Sequence, residues 1–390
     1  MRFSRRIPED WTPAPWPALA EKVRLLGRDS CVDLTLSSPL AAGFSVEESL
    51  FQSAFQQFRP WRHWTPEPHG SLTARSAIAK WMELRGEHCL EDELLLTPGT
   101  SDAYSILFRV LCDPGNSILV PRPGYPLLDV LASLDHINCE GYALRFIQGL
   151  WRIDWASLNH ASQNTRAVLV VNPGNPTGSV LASAEWLQLA ELCEQRGWSL
   201  IVDEVFSLFP FESSQPIPWQ EITRRVPVFR LNGLSKTVGL PQIKLSWLLV
   251  LCPSHLRESL WNALEYVADA FLGVSALAEC LVPDLLEQQS SFQSEVMDRL
   301  RVNFLTAQQI LGTVADCLPP PQGGWYFCAH FPDIDDEQCA LALAETYGVL
   351  VHPGYFFDFA EDGWLVMSLL PESERFSKGI QAIVRLLRGE

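Results

Sequence analysis

The chain is predicted to fold as an α/β protein, with a large domain whose mainly parallel sheet is sandwiched by helices and a smaller α+β domain. Three observations carry this expectation. Short runs that are apolar at almost every position recur through the middle of the chain, they alternate with stretches of helical spacing, and the last hundred residues follow a different pattern.

The runs are SILVP at 117–121, RAVLVVNP at 166–173, SLIVDEVF at 199–206, VFRLNG at 228–233 and LSWLLVL at 245–251. Strands that are apolar on both sides belong in a sheet covered on both faces, as parallel sheets are. Between the second and third runs lies SAEWLQLAELCEQRGW. There Ser183 is placed to cap a helix, Trp186, Leu187, Leu189 and Leu192 recur at helical spacing, and Gly197 stops it. That is a βαβ unit, which crosses over right-handed and winds into an open sheet.

Toward the C-terminus the spacing predicts a long polar helix near 285–312, a PPPQGGWYF turn and strand, and a closing helix from about Glu372 to Leu387. The expected division is an N-terminal arm at 1–45, a large domain at 46–285 and a small domain at 286–390. The arm is rich in Pro and Trp and reads as irregular chain lying across the small domain. The sequence holds no internal repeat or low-complexity segment.

A chain of 390 residues, 47% of them hydrophobic and 19% charged, can bury a large core. Its net charge of −17 argues against nucleic acid and against anionic membrane surfaces, both of which select basic patches. An anionic ligand therefore needs a local positive site. Ten cysteines are scattered without a C-x-x-C pair, so they read as reduced packing residues of a cytoplasmic protein and not as a metal site. No apolar segment follows the basic N-terminus MRFSRRIPEDW, so it does not read as a secretory signal, and no run approaches the length of a membrane span.

In an open α/β sheet, ligands collect where strands end in loops. The residues there are Gly99-Thr100-Ser101, Pro123-Gly124-Tyr125, NPGNPTG at 172–178, Asp203-Glu204 and Ser235-Lys236. Gly-Thr-Ser before DAYSILFRVL would aim backbone N–H groups and two hydroxyls at an anion on a helix N-terminus; alone it is also what a turn and an N-cap look like. Asn175 presents a side-chain donor in a turn. Asp203 ends an apolar strand, where a carboxylate needs a cationic partner: a protonated pyridine nitrogen is one, and a helix cap or a salt bridge would be the plainer alternatives. Lys236 sits in the mostly uncharged stretch RLNGLSKTVGLPQIKLSWLLV, where poor solvation makes an amine nucleophilic, and Lys244 offers a second cation suited to a phosphate.

Together with DLTLSSPLAAGF, the Gly70 segment, TPGTSDAY, VPRPGYP, DEVF, PQGGWYF and VHPGYFF, these residues resemble the class I/II aminotransferases, the fold-type I pyridoxal-phosphate enzymes. The resemblance spans nearly the whole chain. It implies that Lys236 is the Schiff-base lysine and proton shuttle, Asp203 the partner of the pyridine nitrogen, Asn175 the donor to the phenolic oxygen, and Tyr125 the ring that stacks on the cofactor. Thr100, Ser101, Ser235 and Lys244 map to phosphate contacts. It further implies amino-acid and 2-oxo-acid substrates and a homodimer with its sites at the interface, the His63-Trp64 segment reaching the neighbour's cofactor.

Four positions depart from the family pattern. Phe206 replaces a tyrosine, removing a hydrogen bond to the phenolic oxygen. Lys244 replaces a phosphate-binding arginine, and Gly233 replaces a serine. Val366, in WLVMSLLPE, stands where the arginine that grips the substrate carboxylate belongs, and no other arginine lies between Phe331 and Arg375. Either another cation, such as Arg375 or one in the neighbourhood of Lys244, supplies the grip, or the substrate is not an ordinary α-amino acid. Loss of that arginine keeps open a lyase, decarboxylase or cyclase on the same fold, while a non-enzymatic cofactor-binding protein is disfavoured by the intact lysine, aspartate and asparagine.

Overall fold

A computed structural model describes residues 4, 6–7, 15–25, 27, 31–58, 65–212 and 215–390. Thirteen strands occur among them: β1 (Val32–Asp33), β2 (Leu94–Thr97), β3 (Ser117–Arg122), β4 (Asn138–Ile147), β5 (Leu150–Ile153), β6 (Thr165–Val171), β7 (Ser199–Asp203), β8 (Val228–Gly233), β9 (Ser246–Leu251), β10 (Tyr326–His330), β11 (Val349–Leu350), β12 (His352–Pro353) and β13 (Trp364–Ser368). Eight of them form one sheet in the order β2-β9-β8-β7-β6-β3-β4-β5. The run from β8 through β7, β6 and β3 to β4 is parallel, whereas β9 and β5 are antiparallel to their neighbours.

Strict alternation sorts the side chains of these strands. Ile118, Val120, Leu169, Ile201 and Phe229 pack beneath the helix Thr100–Leu111, with Tyr104, Leu107 and Phe108 among the fully buried residues. Leu119, Val168, Val170, Leu200 and Val202 face the helix Ser183–Arg196 through Trp186, Leu189 and Cys193. Each such aliphatic residue contributes about 1.5–3 kcal/mol on burial, which is why the sheet needs both covers. The helix Ser183–Arg196 differs from expectation at its start. Ala182 is the N-cap, its N–H donating to Glu185 Oε2 at 2.8 Å, while the Ser183 hydroxyl donates instead to the Pro216 carbonyl. Gly197 ends the helix in the left-handed conformation, as predicted (φ 68).

The C-terminal part has a three-stranded antiparallel sheet, β10-β13-β12, packed against the helices Gln289–Leu311, Asp336–Tyr347 and Ser373–Arg388. The expectation of an irregular arm is corrected by the helix Pro15–Leu25, whose prolines occupy its first turn, where their missing N–H groups cost nothing. Its Trp16 packs on His352 and Phe356, and β1 pairs in parallel with β11. No helix of the described residues is long and apolar enough to cross a membrane.

Candidate active site

The strand directions fix where the site lies. Because β2 and β8 are both antiparallel to β9, β2 runs the same way as the parallel strands. The loops after Thr97, Arg122, Val171, Asp203 and Gly233 therefore emerge at one edge, and β9 starts from that edge. A cavity of about 500 Å³ opens there, lined by Thr100, Tyr125, Asn175, Asp203, Phe206, Ser235 and Lys236 among others. Seven of the nine residues selected from the sequence thus line one cavity.

The remaining two lie beside it. Ser101 follows Thr100 in the first turn of the helix Thr100–Leu111. Lys244 hangs over the same turn, for a Cβ built on Gly99 would lie 3.1 Å from its Nζ and 3.0 Å from Asp102 Oδ2. Lys244 adopts φ 57, a left-handed conformation uncommon for a lysine, as the chain turns from Pro241–Ile243 into β9. A helix N-terminus, a hydroxyl and an ammonium converge there, a combination that favours an anion. The His63-Trp64 segment lies outside the described residues.

Asp203 shares the face of Ile201, so it points toward the helix Thr100–Leu111. There it accepts a 2.6 Å hydrogen bond from the Tyr104 hydroxyl, and its other oxygen accepts from the Val205 N–H at 3.0 Å. Burial pushes its carboxyl above the ordinary range, opposed by the Tyr104 and Val205 bonds and by the charge of Lys236. The next residue, Glu204, points to the opposite side and pairs with buried Arg230, which also pairs with Glu87 and stacks on Trp219. Two adjacent carboxylates thus face different partners across the backbone.

Lys236 follows β8 in a short helical turn. Its Nζ donates to the Ser37 carbonyl at 3.0 Å and lies 4.7 Å from the Trp325 ring centroid and 5.7 Å from that of Phe206. Burial brings its pKa down to about 8, against the pull of Asp203 in the other direction. The amine is accordingly a better nucleophile at neutral pH than a solvated lysine.

The departures have structural settings. Phe206 is buried edge-on to Trp325 and Tyr326. A Cβ on Gly233 would lie 2.3 Å from the Ser246 hydroxyl, its partner on β9, so the hydroxyl missing at 233 has a substitute entering the cavity from the adjacent strand. Val366 is fully buried. Arg375 does not line the cavity; it donates to the Cys31 carbonyl. The arginine that does line it is Arg24, from the N-terminal helix. Sequence reading passed over Arg24, Ser37, Tyr104, Ser246 and His352, each of which belongs to the site or touches one of its residues.

Residues 49–383 match the family model for aminotransferases of class I and II. The chain belongs to this family. Among curated relatives, nicotianamine aminotransferase 1 of Oryza sativa subsp. japonica is 32% identical over 335 residues, covering 82% of this chain and 66% of the relative. Alanine aminotransferase of Mycobacterium tuberculosis is 26% identical over 367 residues, covering 91% and 85%. The alanine aminotransferase structure from Pyrococcus furiosus superposes with a TM-score of 0.89 at 21% identity, covering all of both chains, which establishes the fold-type I architecture. The chain is an aminotransferase that moves an amino group between an amino acid and a 2-oxo acid. Enzymes of the class I/II family use pyridoxal phosphate.

Proposed function

We propose that this aminotransferase binds pyridoxal 5′-phosphate in the cavity at the strand edge, with Lys236 as its anchor and proton carrier. The observation that carries the proposal is a nucleophilic amine, poised near pH 8 by burial, in the same cavity as a buried carboxylate. Other features of the chain fit the cofactor. The Asn175 side-chain oxygen is buried without a partner among the described residues, and turning the amide half a revolution would present its NH₂ to a ring oxygen. Thr100, Ser101, Ser235 and Lys244 surround or adjoin the turn where a phosphate would sit, and Tyr125 supplies an aromatic wall.

When bound, pyridoxal phosphate supplies an electron sink and a carrier for the amino group. Asp203 would accept a hydrogen bond from the ring nitrogen and hold it cationic. Lys236 would take a proton from the substrate α-carbon and return it elsewhere, while Phe206 and Trp325 keep water from the amine. Relatives named for tyrosine, alanine and nicotianamine favour transfer over the lyase, decarboxylase and cyclase alternatives. We further propose a cytoplasmic homodimer, supported by ten free cysteines and by exposed Tyr266, Phe271 and Leu272 around the end of the helix Arg257–Asp269.

The test is a visible spectrum of the purified protein, followed by single L-amino acids added without an acceptor. One amino acid is expected to bleach the cofactor band with one equivalent of 2-oxo acid per site. Continued turnover releasing ammonia, carbon dioxide or thiol would overturn transfer in favour of elimination or decarboxylation. Tyr104→Phe provides a second check. It removes a charge-assisted hydrogen bond from Asp203, so cofactor affinity by equilibrium dialysis should fall roughly ten- to a hundredfold. Unchanged affinity would mean that the Asp203 carboxylate does not contact the ring.

A further inference from the structure

The substrate grip can be located from the small sheet outward. Cys328, Val366 and His352 are cross-strand partners in one row over β10, β13 and β12, and paired residues of an antiparallel sheet point to the same side. That side looks into the site, because the Cys328 thiol contacts the Pro176 carbonyl at 3.4 Å and His352 lines the cavity. The middle of the row, Val366, offers no charge.

Two neighbouring groups do offer polar contacts. His352 Nδ1 is buried with no hydrogen-bond partner among the described residues, and its ring is held by Trp16, Phe356 and Phe357 at centroid distances of 5.4, 6.0 and 5.6 Å. Burial lowers its pKa to about 4, so it stays neutral at pH 7, and an unpaired nitrogen of this kind is costly without a ligand. Arg24 lines the same cavity as His352, and its charge lowers the histidine's pKa further. Arg24 is the cation besides Lys236 among the described lining residues. It leaves the last turn of the N-terminal helix, donating from Nε to Asp33 Oδ2 and from Nη2 to Thr35 Oγ1, each at 3.0 Å, which uses two of its five N–H donors. Thr35 is two residues from Ser37, whose carbonyl holds Lys236, a span of about 7 Å in extended chain. The guanidinium and the reactive amine are thus tied to residues two apart on one segment and line the same cavity.

We infer that Arg24, assisted by His352 Nδ1, grips the substrate carboxylate next to the reacting amine, replacing from the N-terminal helix the arginine absent at Val366. This deepens the aminotransferase reading and rests on it. The substrate is thereby an amino acid with a free α-carboxylate, and its recognition depends on the arm lying in place.

The test is calorimetric titration of the holoprotein with 3-phenylpropanoate, a carboxylate that cannot react, and with 3-phenylpropanamide as the neutral control. Arg24→Gln should weaken the carboxylate roughly ten- to a hundredfold and leave the amide unchanged. Arg24→Lys should recover only part of the loss. Asp33→Asn removes the same ion pair without removing the guanidinium, and should bind the carboxylate within about threefold of the unaltered protein. Equal losses for carboxylate and amide, an Asp33→Asn effect matching Arg24→Gln, or no carboxylate binding by the unaltered protein at millimolar concentration would each overturn the assignment. Because these titrations require no turnover, they succeed or fail independently of the bleaching test for transfer.

Discussion

Lys236→Ala is expected to leave the fold intact and to reduce turnover by at least about 10⁴-fold, because it removes the proposed anchor and proton carrier. The fold should survive because the side chain's hydrogen bond among the described residues is to the Ser37 carbonyl alone, and its ammonium sits where burial disfavours charge. Circular dichroism and melting temperature check the first half of this expectation, and single-turnover kinetics check the second. The depressed pKa gives a companion measurement on protein freed of cofactor. A lysine lowered to about 8 is mostly protonated below that pH and mostly neutral above it. Reductive trapping with an added aldehyde should therefore rise about tenfold per pH unit up to pH 8 and then level off. An ordinary lysine, titrating near 10.4, would keep rising to about pH 10, and that result would show the amine to be solvated.

The second large effect belongs to Asp203. Asp203→Ala is expected to slow loss of the substrate α-proton by about 10²–10³-fold and to weaken cofactor binding, since in the proposed mechanism this buried carboxylate is preorganised electrostatic support for the ring nitrogen. It also strands the Tyr104 hydroxyl, a fully buried donor, at a cost of about 1–3 kcal/mol in stability. Adding Tyr104→Phe should restore part of that stability without restoring rate, and a double-mutant cycle separates the two roles. Unchanged kinetics in Asp203→Ala would remove the carboxylate from the chemistry.

Asp203, Asn175 and Lys236 were legible because each ends or follows a strand that is apolar at most positions, and in an open sheet such positions collect at one edge. Their order and spacing also carry the family pattern. Tyr104 was illegible for a physical reason: it sits inside the helix Thr100–Leu111 as one aromatic among core residues, and its partner is 99 residues away. Ser246 could have been found, since the glycine at 233 signals close approach by something, but pairing of β8 with β9 had to be known to say what. Arg24 and His352 were missed because the arm read as irregular and VHPGYFF was read only for its family likeness, without a strand. Only the Trp16 contact and the pairing of β12 with β13 bring them to the cavity. Local helix chemistry was misread once, at Ser183, where a glutamate three residues beyond Ala182 satisfies the N-terminus and frees the serine to tie down Pro216.

The bond from Lys236 to the Ser37 carbonyl has a mechanical meaning. Residues 32–33 are stitched to β11, and Ser37 lies a few residues farther along, so the Lys236 nitrogen fastens the early chain to the end of β8. Chemistry that occupies the donors of that nitrogen undoes the fastening, and release of the nitrogen restores it. Under the proposed mechanism the lysine is a clasp as well as a reagent, and slack in the segment carrying Thr35 and Ser37 should come and go in step with each half of the catalytic cycle.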